Sequence, residues 1–297
     1  MSNIPNLYLI GAPKCGTTSF AHSLSLHPDI FMPKIKEPRY FDAHKYYDNE
    51  YDYPFKSLAE YLKLYNSKKA IESKYRLDAS VFIMYSKWSI DRILSVSPNA
   101  KFILILRDPV TASISMHSQR LKYPKGTRRE LSENFLECWK MIDERKKGLA
   151  FPDGCRNKLL FRYDLLYSYE KYLPYIISKI KFENLFIGNY EEYKNNYIEF
   201  FQHIYKFLNI KHIKTKKLFL NTRYIIRSSI LLDIYYRIVQ FTYPIRNKIG
   251  LTGGAISKFF LNFYKDSYND KYDLTDVKKY FANTYIFLKK IKYSKYK

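Results

Sequence analysis

Apolar runs of strand length recur along the chain and are separated by segments of helix length. The first run, residues 7–10, reads Leu-Tyr-Leu-Ile and ends abruptly at Gly-Ala-Pro. The second and third runs, residues 101–106 and 184–188, have the near-continuous apolar character of strands buried on both faces of a parallel sheet. Buried strands that alternate with helical segments predict an α/β fold built on a central parallel sheet.

Helical spacing of apolar residues fills the intervals between these runs. It predicts helices over residues 19–26, 111–121, 167–181, 197–208 and 274–290. Residues 229–241 are apolar and basic. We expect this segment to pack on the core or to form a lid, in preference to lying on a membrane surface as an amphipathic helix. We therefore expect a P-loop-like central parallel β-sheet flanked by helices, with a mostly helical C-terminal third.

The chain is strongly basic, with 51 Lys and Arg against 28 Asp and Glu and a net charge of +23. An anionic partner would account for this charge: a phosphorylated nucleotide, an acidic polysaccharide, nucleic acid or a membrane surface. Compositional drift is a second explanation, because Lys, Tyr, Ile, Phe and Asn are abundant together and the basic residues are spread along the chain. The composition leaves both explanations open.

Cysteine usage and hydropathy indicate the cellular setting. Three scattered cysteines, Cys15, Cys138 and Cys155, are too few for a disulfide framework or a zinc site. No stretch approaches the roughly 20 apolar residues of a membrane span, and residues 1–7 lack the pattern of a secretion signal. We expect a reducing, cytoplasmic setting and no bound metal, with a peripheral membrane contact left open.

The loop after the first apolar run has the character of an anion cradle. Residues 11–19 read Gly-Ala-Pro-Lys-Cys-Gly-Thr-Thr-Ser, between a predicted strand and a predicted helix, where backbone N–H groups and a helix N-terminus converge. Gly11 and Gly16 have the spacing of the Walker A motif, but Thr17 stands at its lysine position and Lys14 comes earlier. This arrangement disfavours triphosphate hydrolysis, and a P-loop nucleotide kinase remains only an alternative.

These residues resemble the sulfotransferase superfamily, whose 5′-phosphosulfate loop reads Lys-x-Gly-Thr-Thr-Ser. The resemblance implies that the sulfuryl donor is 3′-phosphoadenosine-5′-phosphosulfate (PAPS) and that Lys14 stabilises charge on the bridging oxygen as the sulfuryl group leaves. It further implies that the 5′-phosphate is held by the loop residues Cys15, Gly16, Thr17, Thr18 and Ser19.

A second motif follows the apolar run 101–106. Arg107 ends that run, and Ser115 comes eight positions later on a predicted strand–turn–helix path. An arginine offers a planar fork that suits a phosphate. The spacing is similar to the 3′-phosphate motif of the same superfamily, so Arg107 and Ser115 are expected to hold the 3′-phosphate of PAPS.

The expected catalytic base is Glu37. Residues 36–41 read Lys-Glu-Pro-Arg-Tyr-Phe and resemble the Lys-Glu-Pro-x-Phe-Phe segment of glycan-type, heparan-sulfate-like sulfotransferases, in which the glutamate is taken as the base. In the branch that acts on small molecules the base is a histidine. His27 and His117 are the histidine candidates for that role, and His27 is interpreted as structural.

The acceptor side is less well marked. Asp78 and Arg39 are candidate acceptor-binding residues, and the segment around Asp78 resembles one that borders the acceptor in this superfamily. Arg162 is a candidate contact near the nucleotide. The resemblance, which covers residues 7–210 and includes bacterial sulfotransferase domains, implies transfer to a hydroxyl or amine. A carbohydrate acceptor is favoured and a small hydroxylated metabolite is the alternative.

We expect one domain over residues 1–297, in which residues 211–297 form a helical extension and a candidate lid. The remaining hypothesis for the function is a non-enzymatic basic protein that binds nucleic acid or a membrane.

Overall fold

A computed structural model describes residues 3–47, 52–123, 128–155, 157–215, 218, 234, 237–238, 241–242, 272–291 and 293–294. Five parallel strands form one sheet in the order β2-β3-β1-β4-β5. The strands are β1 Leu7–Gly11, β2 Ile30–Phe31, β3 Tyr75–Asp78, β4 Lys101–Leu106 and β5 Leu185–Asn189. The predicted central parallel sheet is thus confirmed, and its three apolar runs are β1, β4 and β5.

Helices flank this sheet. Between β1 and β4 lie α1 Thr17–Leu24, α2 Ala43–Tyr46, α3 Leu58–Leu62, α4 Lys68–Glu72 and α5 Lys87–Val96. Between β4 and β5 lie α6 Pro109–Arg120, α7 Phe135–Lys140, α8 Ile142–Lys146, α9 Tyr163–Leu166 and α10 Leu173–Lys179. After β5 come α11 Tyr190–Asn195, α12 Tyr197–Leu208, α13 Thr275–Tyr280 and α14 Ala282–Lys290.

Two sequence expectations differ from the observed elements. The helix predicted over 167–181 is shortened to α10, which begins at Leu173 with a proline in its first turn; proline is tolerated there because the first-turn N–H groups have no intrahelical acceptor. The helix predicted over 274–290 is divided at Phe281 into α13 and α14. The lid expected over 229–241 lies outside the described residues apart from 234, 237–238 and 241.

The strand order places the functional edge of the sheet. From β1 at the centre the chain builds β2 and β3 on one side, and β4 and β5 on the other. The switch point therefore falls between β1 and β4, whose registers pair Leu7 with Lys101 and Gly11 with Leu104. Ligands of open parallel α/β sheets bind at the carboxyl ends of the strands at this point. The loop after Gly11 and the arginine after Leu106 are the two segments that flank it.

Candidate active site

The loop after β1 is fixed at both ends. The Ala12 N–H donates to the Ile105 carbonyl at 2.9 Å, which joins the loop to β4. At its other end Gly16 has φ of +72°, a left-handed conformation that favours glycine. A Cβ on Gly16 would lie 2.9 Å from Cε2 of Tyr190. The tight turn therefore brings the first turn of α1 directly against the end of β1.

The first turn of α1 is open to an anion. The helix begins at Thr17 with no side-chain cap and no acidic residue in its first turn. The N–H groups of a first turn have no intrahelical acceptor, and the positive end of the helix dipole lies there. Thr18 and Ser19 also carry hydroxyl groups, and both are partly exposed. The predicted 5′-phosphate residues thus lie together around one helix N-terminus.

Cys15 is part of the loop's support. Its buried thiol lies 3.6 Å from the Pro13 carbonyl and 4.0 Å from the Tyr169 hydroxyl. Burial raises the pKa of this thiol to about 12, although the nearby Arg107 charge lowers it. The thiol therefore stays protonated at neutral pH, and the Cys15 backbone N–H donates to the Ala12 carbonyl at 3.3 Å, so both groups of Cys15 help to hold the loop.

Arg107 connects β4 to the same loop. Its Nη1 donates to the Lys14 carbonyl at 3.1 Å, and its guanidinium lies 4.5 Å from the centre of the Tyr190 ring. The Tyr169 hydroxyl donates to the Arg107 carbonyl at 3.1 Å. The Arg107 Nε is buried and has no hydrogen-bond partner among the described residues. The structure thus brings Lys14 and Arg107 together from two different strands.

Helix α6 follows Arg107, contains Ser115 and begins with a capped first turn. Asp108 caps the helix by accepting from the Thr111 N–H at 2.8 Å. The hydroxyls of Ser113 and Ser118 donate to the Pro109 and Ile114 carbonyls at 2.7 and 2.9 Å. Ser115 is 8% exposed, and its hydroxyl bonds to no side chain or carbonyl in the part of the chain that the structure describes.

Two buried residues beside this region were missed by the sequence analysis. The Tyr167 side chain is 0% exposed and that of Arg120 is 4% exposed. Neither the Tyr167 hydroxyl nor the Arg120 Nε has a hydrogen-bond partner among the described residues. Burial raises the pKa of Tyr167 well above its ordinary value, while the charges of Arg107 and Arg120 lower it. Tyr167 therefore lies within the positive field of both arginines.

Glu37 lies in the loop between β2 and α2, beside residues that contact the turn after β3. Its carboxylate pairs with the Lys36 Nζ at 2.7 Å and with the Arg39 guanidinium. Lys36 also donates to the Ala79 carbonyl at 3.4 Å, and the Arg39 N–H donates to the Ser80 hydroxyl at 3.0 Å. Burial raises the pKa of Glu37, but the two cations outweigh burial and the pKa lies below its ordinary value.

Arg39 occupies the centre of this cluster. Besides Glu37 it pairs with Asp42, whose Oδ2 lies 3.4 Å from Nη1, and its guanidinium lies 3.4 Å from the centre of the Tyr46 ring. Asp42 is fully buried. Burial raises the pKa of Asp42 to about 7, although Arg39 lowers it. The cluster therefore combines an ionised glutamate with an aspartate that titrates near neutrality.

Comparison with known proteins identifies the family. The family model described as "Sulfotransferase domain" matches residues 5–223, which contain the loop after β1, Glu37, Arg107 and Ser115. The chain belongs to the sulfotransferase family. A solved sulfotransferase from Alicyclobacillus acidocaldarius matches 86% of this chain and 99% of its own, with a TM-score of 0.62 and 20% identity, a likeness that shows the fold.

Curated sulfotransferases are similar over part of their length. The chain is 34% identical over 122 residues to the membrane-associated sulfotransferase kil1 of Dictyostelium discoideum, an alignment that covers 41% of this chain and 24% of that protein. It is 24% identical over 268 residues to human carbohydrate sulfotransferase 15, which covers 74% of this chain and 46% of the relative. The chain therefore spans less than half the length of either relative.

The described residues contain neither a membrane-spanning helix nor a cluster of metal-binding side chains. None of the helices there is long and apolar enough to cross a membrane. The same residues contain no group of three or more His, Cys, Asp or Glu side chains that could hold a metal ion.

Two candidates for the sulfotransferase site are already hydrogen-bonded within the chain. Asp78 is 0% exposed, and its oxygens accept from the Tyr61 hydroxyl at 2.6 Å and the Ser80 N–H at 2.9 Å. These two hydrogen bonds fix the turn after β3, and an acceptor contact of Asp78 stays a prediction. Arg162 donates from Nε and Nη2 to the Asp164 carboxylate, both at 2.8 Å, so its fork is already paired.

Both histidine candidates for the base are also held structurally. The nitrogens of His27 lie 2.7 Å from the Lys211 carbonyl and 3.1 Å from the Asp29 N–H, as expected for a structural residue. His117 is fully buried, with Nε2 3.0 Å from the Ser132 carbonyl. Burial lowers the pKa of His117. The Glu37 side chain is 24% exposed and is therefore more accessible than either histidine.

Proposed function

We propose that this protein transfers the sulfuryl group of PAPS to a hydroxyl or amine of an acceptor and releases 3′-phosphoadenosine-5′-phosphate (PAP). The observation that carries this proposal is the meeting of Lys14 and Arg107 at the switch point of the sheet. Family membership over residues 5–223 supports it. The donor identity and the residue roles below are parts of the proposal.

The nucleotide would be held at two anionic ends. The backbone of Cys15 and Gly16 and the first turn of α1 would bind the 5′-phosphate. Arg107 and Ser115 would bind the 3′-phosphate. A buried arginine nitrogen without a partner is costly, and the unpaired Arg107 Nε, together with the Arg120 Nε and the Tyr167 hydroxyl, fits an anion at this end.

Lys14 and Glu37 would act at the sulfuryl end of the donor. PAPS, when bound, supplies an activated sulfuryl group. The acceptor atom forms a bond to sulfur while the bond from sulfur to the bridging phosphate oxygen breaks, and that electron pair leaves with PAP. The Lys14 ammonium stabilises the charge on the departing oxygen. The Glu37 carboxylate, ionised at neutral pH because its pKa is lowered, accepts the acceptor's proton.

The proposed acceptor is a carbohydrate. Carbohydrate sulfotransferase 15 is among the relatives, and an anionic saccharide chain would account for the net charge of +23. Arg39 remains a predicted acceptor contact beside Glu37. The cytoplasmic setting, the peripheral membrane contact, the absence of a metal requirement and the single domain over residues 1–297 also stay predictions.

The direct test is sulfuryl transfer itself. We expect PAP release from PAPS to require an acceptor, with saccharide chains active and small phenols inactive. Lys14→Ala and Glu37→Gln should each lower kcat by at least about 100-fold, while Lys34→Ala, an exposed lysine of the same segment, should leave it unchanged. Full activity of Lys14→Ala or Glu37→Gln would contradict the assigned role, and activity on phenols alone would contradict the carbohydrate acceptor.

A further inference from the structure

The C-terminal helices return to the donor side of the sheet. Helices α13 and α14 and residues 293–294, which we call the C-terminal clasp, lie beyond the residues 5–223 that the family model matches. Phe281 is buried between α13 and α14, and its ring centre lies 5.6 Å from that of Trp139 on α7. The clasp is thus packed on the same core as the sulfotransferase fold.

One contact of the clasp reaches the residue that follows Arg107. The Tyr285 hydroxyl of α14 donates to Oδ2 of Asp108 at 2.7 Å. The other oxygen of Asp108 accepts from the Thr111 N–H and begins α6, the helix that carries Ser115. Both oxygens of this carboxylate are therefore in use, and Tyr285 helps to fix the turn between Arg107 and Ser115.

Two further contacts hold the clasp against neighbouring elements. The Thr284 hydroxyl donates to the Glu170 carboxylate at 2.7 Å, one residue after the Tyr169 that binds the Arg107 carbonyl. Ser294 continues the contact onto β5: its N–H donates to the Ile187 carbonyl at 2.8 Å, and its hydroxyl accepts from the Ile187 N–H at 3.0 Å. The clasp therefore contacts the turn after β4, the segment beside Tyr167, and the edge strand.

From these contacts we infer that Tyr285 is a positioning residue for the 3′-phosphate end of the donor site. It acts through Asp108 on the turn between Arg107 and α6, and among the described residues it forms no hydrogen bond with the loop after β1. This inference rests on the proposed function, because it names the donor's 3′-phosphate as the group that Tyr285 helps to select. It assigns a role to a segment that the family match does not include.

Loss of the Tyr285 hydroxyl should weaken the binding of 3′-phosphorylated nucleotides selectively. AMP is PAP without the 3′-phosphate, so the ratio of their affinities measures that end of the site alone. Removal of the Tyr285 hydroxyl leaves Asp108 with one hydrogen bond and frees the turn that orients Arg107. We expect Tyr285→Phe to weaken PAP binding about tenfold and to leave AMP binding unchanged. KM for PAPS should rise while kcat at saturating PAPS is kept.

The experiment is calorimetric titration of the full chain with PAP and with AMP. Tyr175→Phe is the matched control, because it also removes a tyrosine–aspartate hydrogen bond, 2.6 Å to Asp91, on the exposed surface of α10. Asp108→Asn is the second variant, since an amide can keep the cap on Thr111 but alters the group that meets Tyr285. Both variants at the Tyr285–Asp108 pair should lower the PAP-to-AMP affinity ratio, and Tyr175→Phe should not.

The outcomes separate this inference from the proposed function. An unchanged ratio in Tyr285→Phe, or an equal loss of PAP and AMP binding, would overturn the positioning role while leaving the proposed donor intact. A wild-type protein that binds PAP no better than AMP would overturn the 3′-phosphate site itself, and with it both proposals.

Discussion

Tyr167→Phe should change stability and ligand binding in opposite directions. The Tyr167 hydroxyl is fully buried and finds no hydrogen-bond partner among the described residues. In the free protein such a group costs stability, because it has left water without a replacement bond. If the hydroxyl donates to the 3′-phosphate in the complex, the same group contributes to affinity. The substitution therefore distinguishes a binding residue from a packing residue.

Both magnitudes follow from this environment. An unsatisfied buried polar group costs about 1–3 kcal/mol, part of which the small void left by the oxygen offsets. We expect the free variant to be about 1 kcal/mol more stable, a rise in Tm of roughly 2–4 °C. A hydrogen bond to a charged group contributes about 1.5–3 kcal/mol, so the dissociation constant for PAP should rise roughly 10- to 150-fold.

The assay pairs thermal unfolding of the free protein with calorimetric titration of PAP. Tyr85→Phe is the control, because the Tyr85 hydroxyl is also buried but donates to the Leu166 carbonyl at 3.0 Å. That variant should lose stability and keep its PAP affinity. A Tyr167→Phe protein that is destabilised and binds PAP normally would rule out a binding role, since the hydroxyl would then be a structural group.

Further predictions concern the loop and the base. Gly16→Ala should lower stability by about 1–2 kcal/mol, measured by urea unfolding, because φ is +72° and the new methyl group would crowd Tyr190; unchanged stability would contradict this strain. Arg39→Gln removes one of two cations that lower the Glu37 pKa, so the acidic limb of kcat/KM should move to higher pH; identical limbs in both proteins would contradict Glu37 as the base. Burial raises the Asp42 pKa from 3.8 to about 7, so the folded state holds a proton that the unfolded state releases between those values. Wild-type stability should therefore fall by up to about 4 kcal/mol from pH 4 to pH 7, and Asp42→Asn should flatten that fall in urea unfolding; an equal slope would count against the shifted pKa.

Local signals accounted for the part of the site that follows β1 and β4. The glycines of the loop, the lysine between them and the arginine after an apolar strand are each readable within a short stretch, because the backbone conformation and the strand ends are local properties. The parallel arrangement of β1 and β4 then follows from their apolar character, and it brings Lys14 and Arg107 to one edge. The roles of these residues stay predictions.

The strand and the residues that the sequence did not indicate depend on contacts between distant parts of the chain. Strand β3 is interrupted by the polar Arg76 and has only four residues, so its apolar pattern is too short to detect. The hydrogen bonds of Asp78 with Tyr61 and Ser80 join residues of different elements, and no local pattern indicated them. Tyr167 is one of 31 tyrosines, and only its burial beside distant arginines singles it out.

The contacts of the C-terminal clasp could not be predicted from the sequence either, because they join residues that are far apart in the chain. Tyr285 meets Asp108 across 177 positions of the chain, and nothing in residues 282–290 indicated that partner. The amphipathic pattern of the C-terminal helix predicted a helix and no more. Its relation to the donor side depends on how the whole fold closes, which no short motif encodes.

Binding of a 3′-phosphorylated adenine nucleotide at the switch point between β1 and β4 underlies every role proposed for these residues. Calorimetric titration of the purified protein with PAP, and separately with Mg-ATP, measures that binding without any need for an acceptor. We expect micromolar PAP binding without added metal, weakened at least tenfold by Lys14→Ala and by Arg107→Gln, and no comparable affinity for Mg-ATP. A preference for Mg-ATP, or PAP binding that neither variant weakens, would show that the switch point is not the donor site.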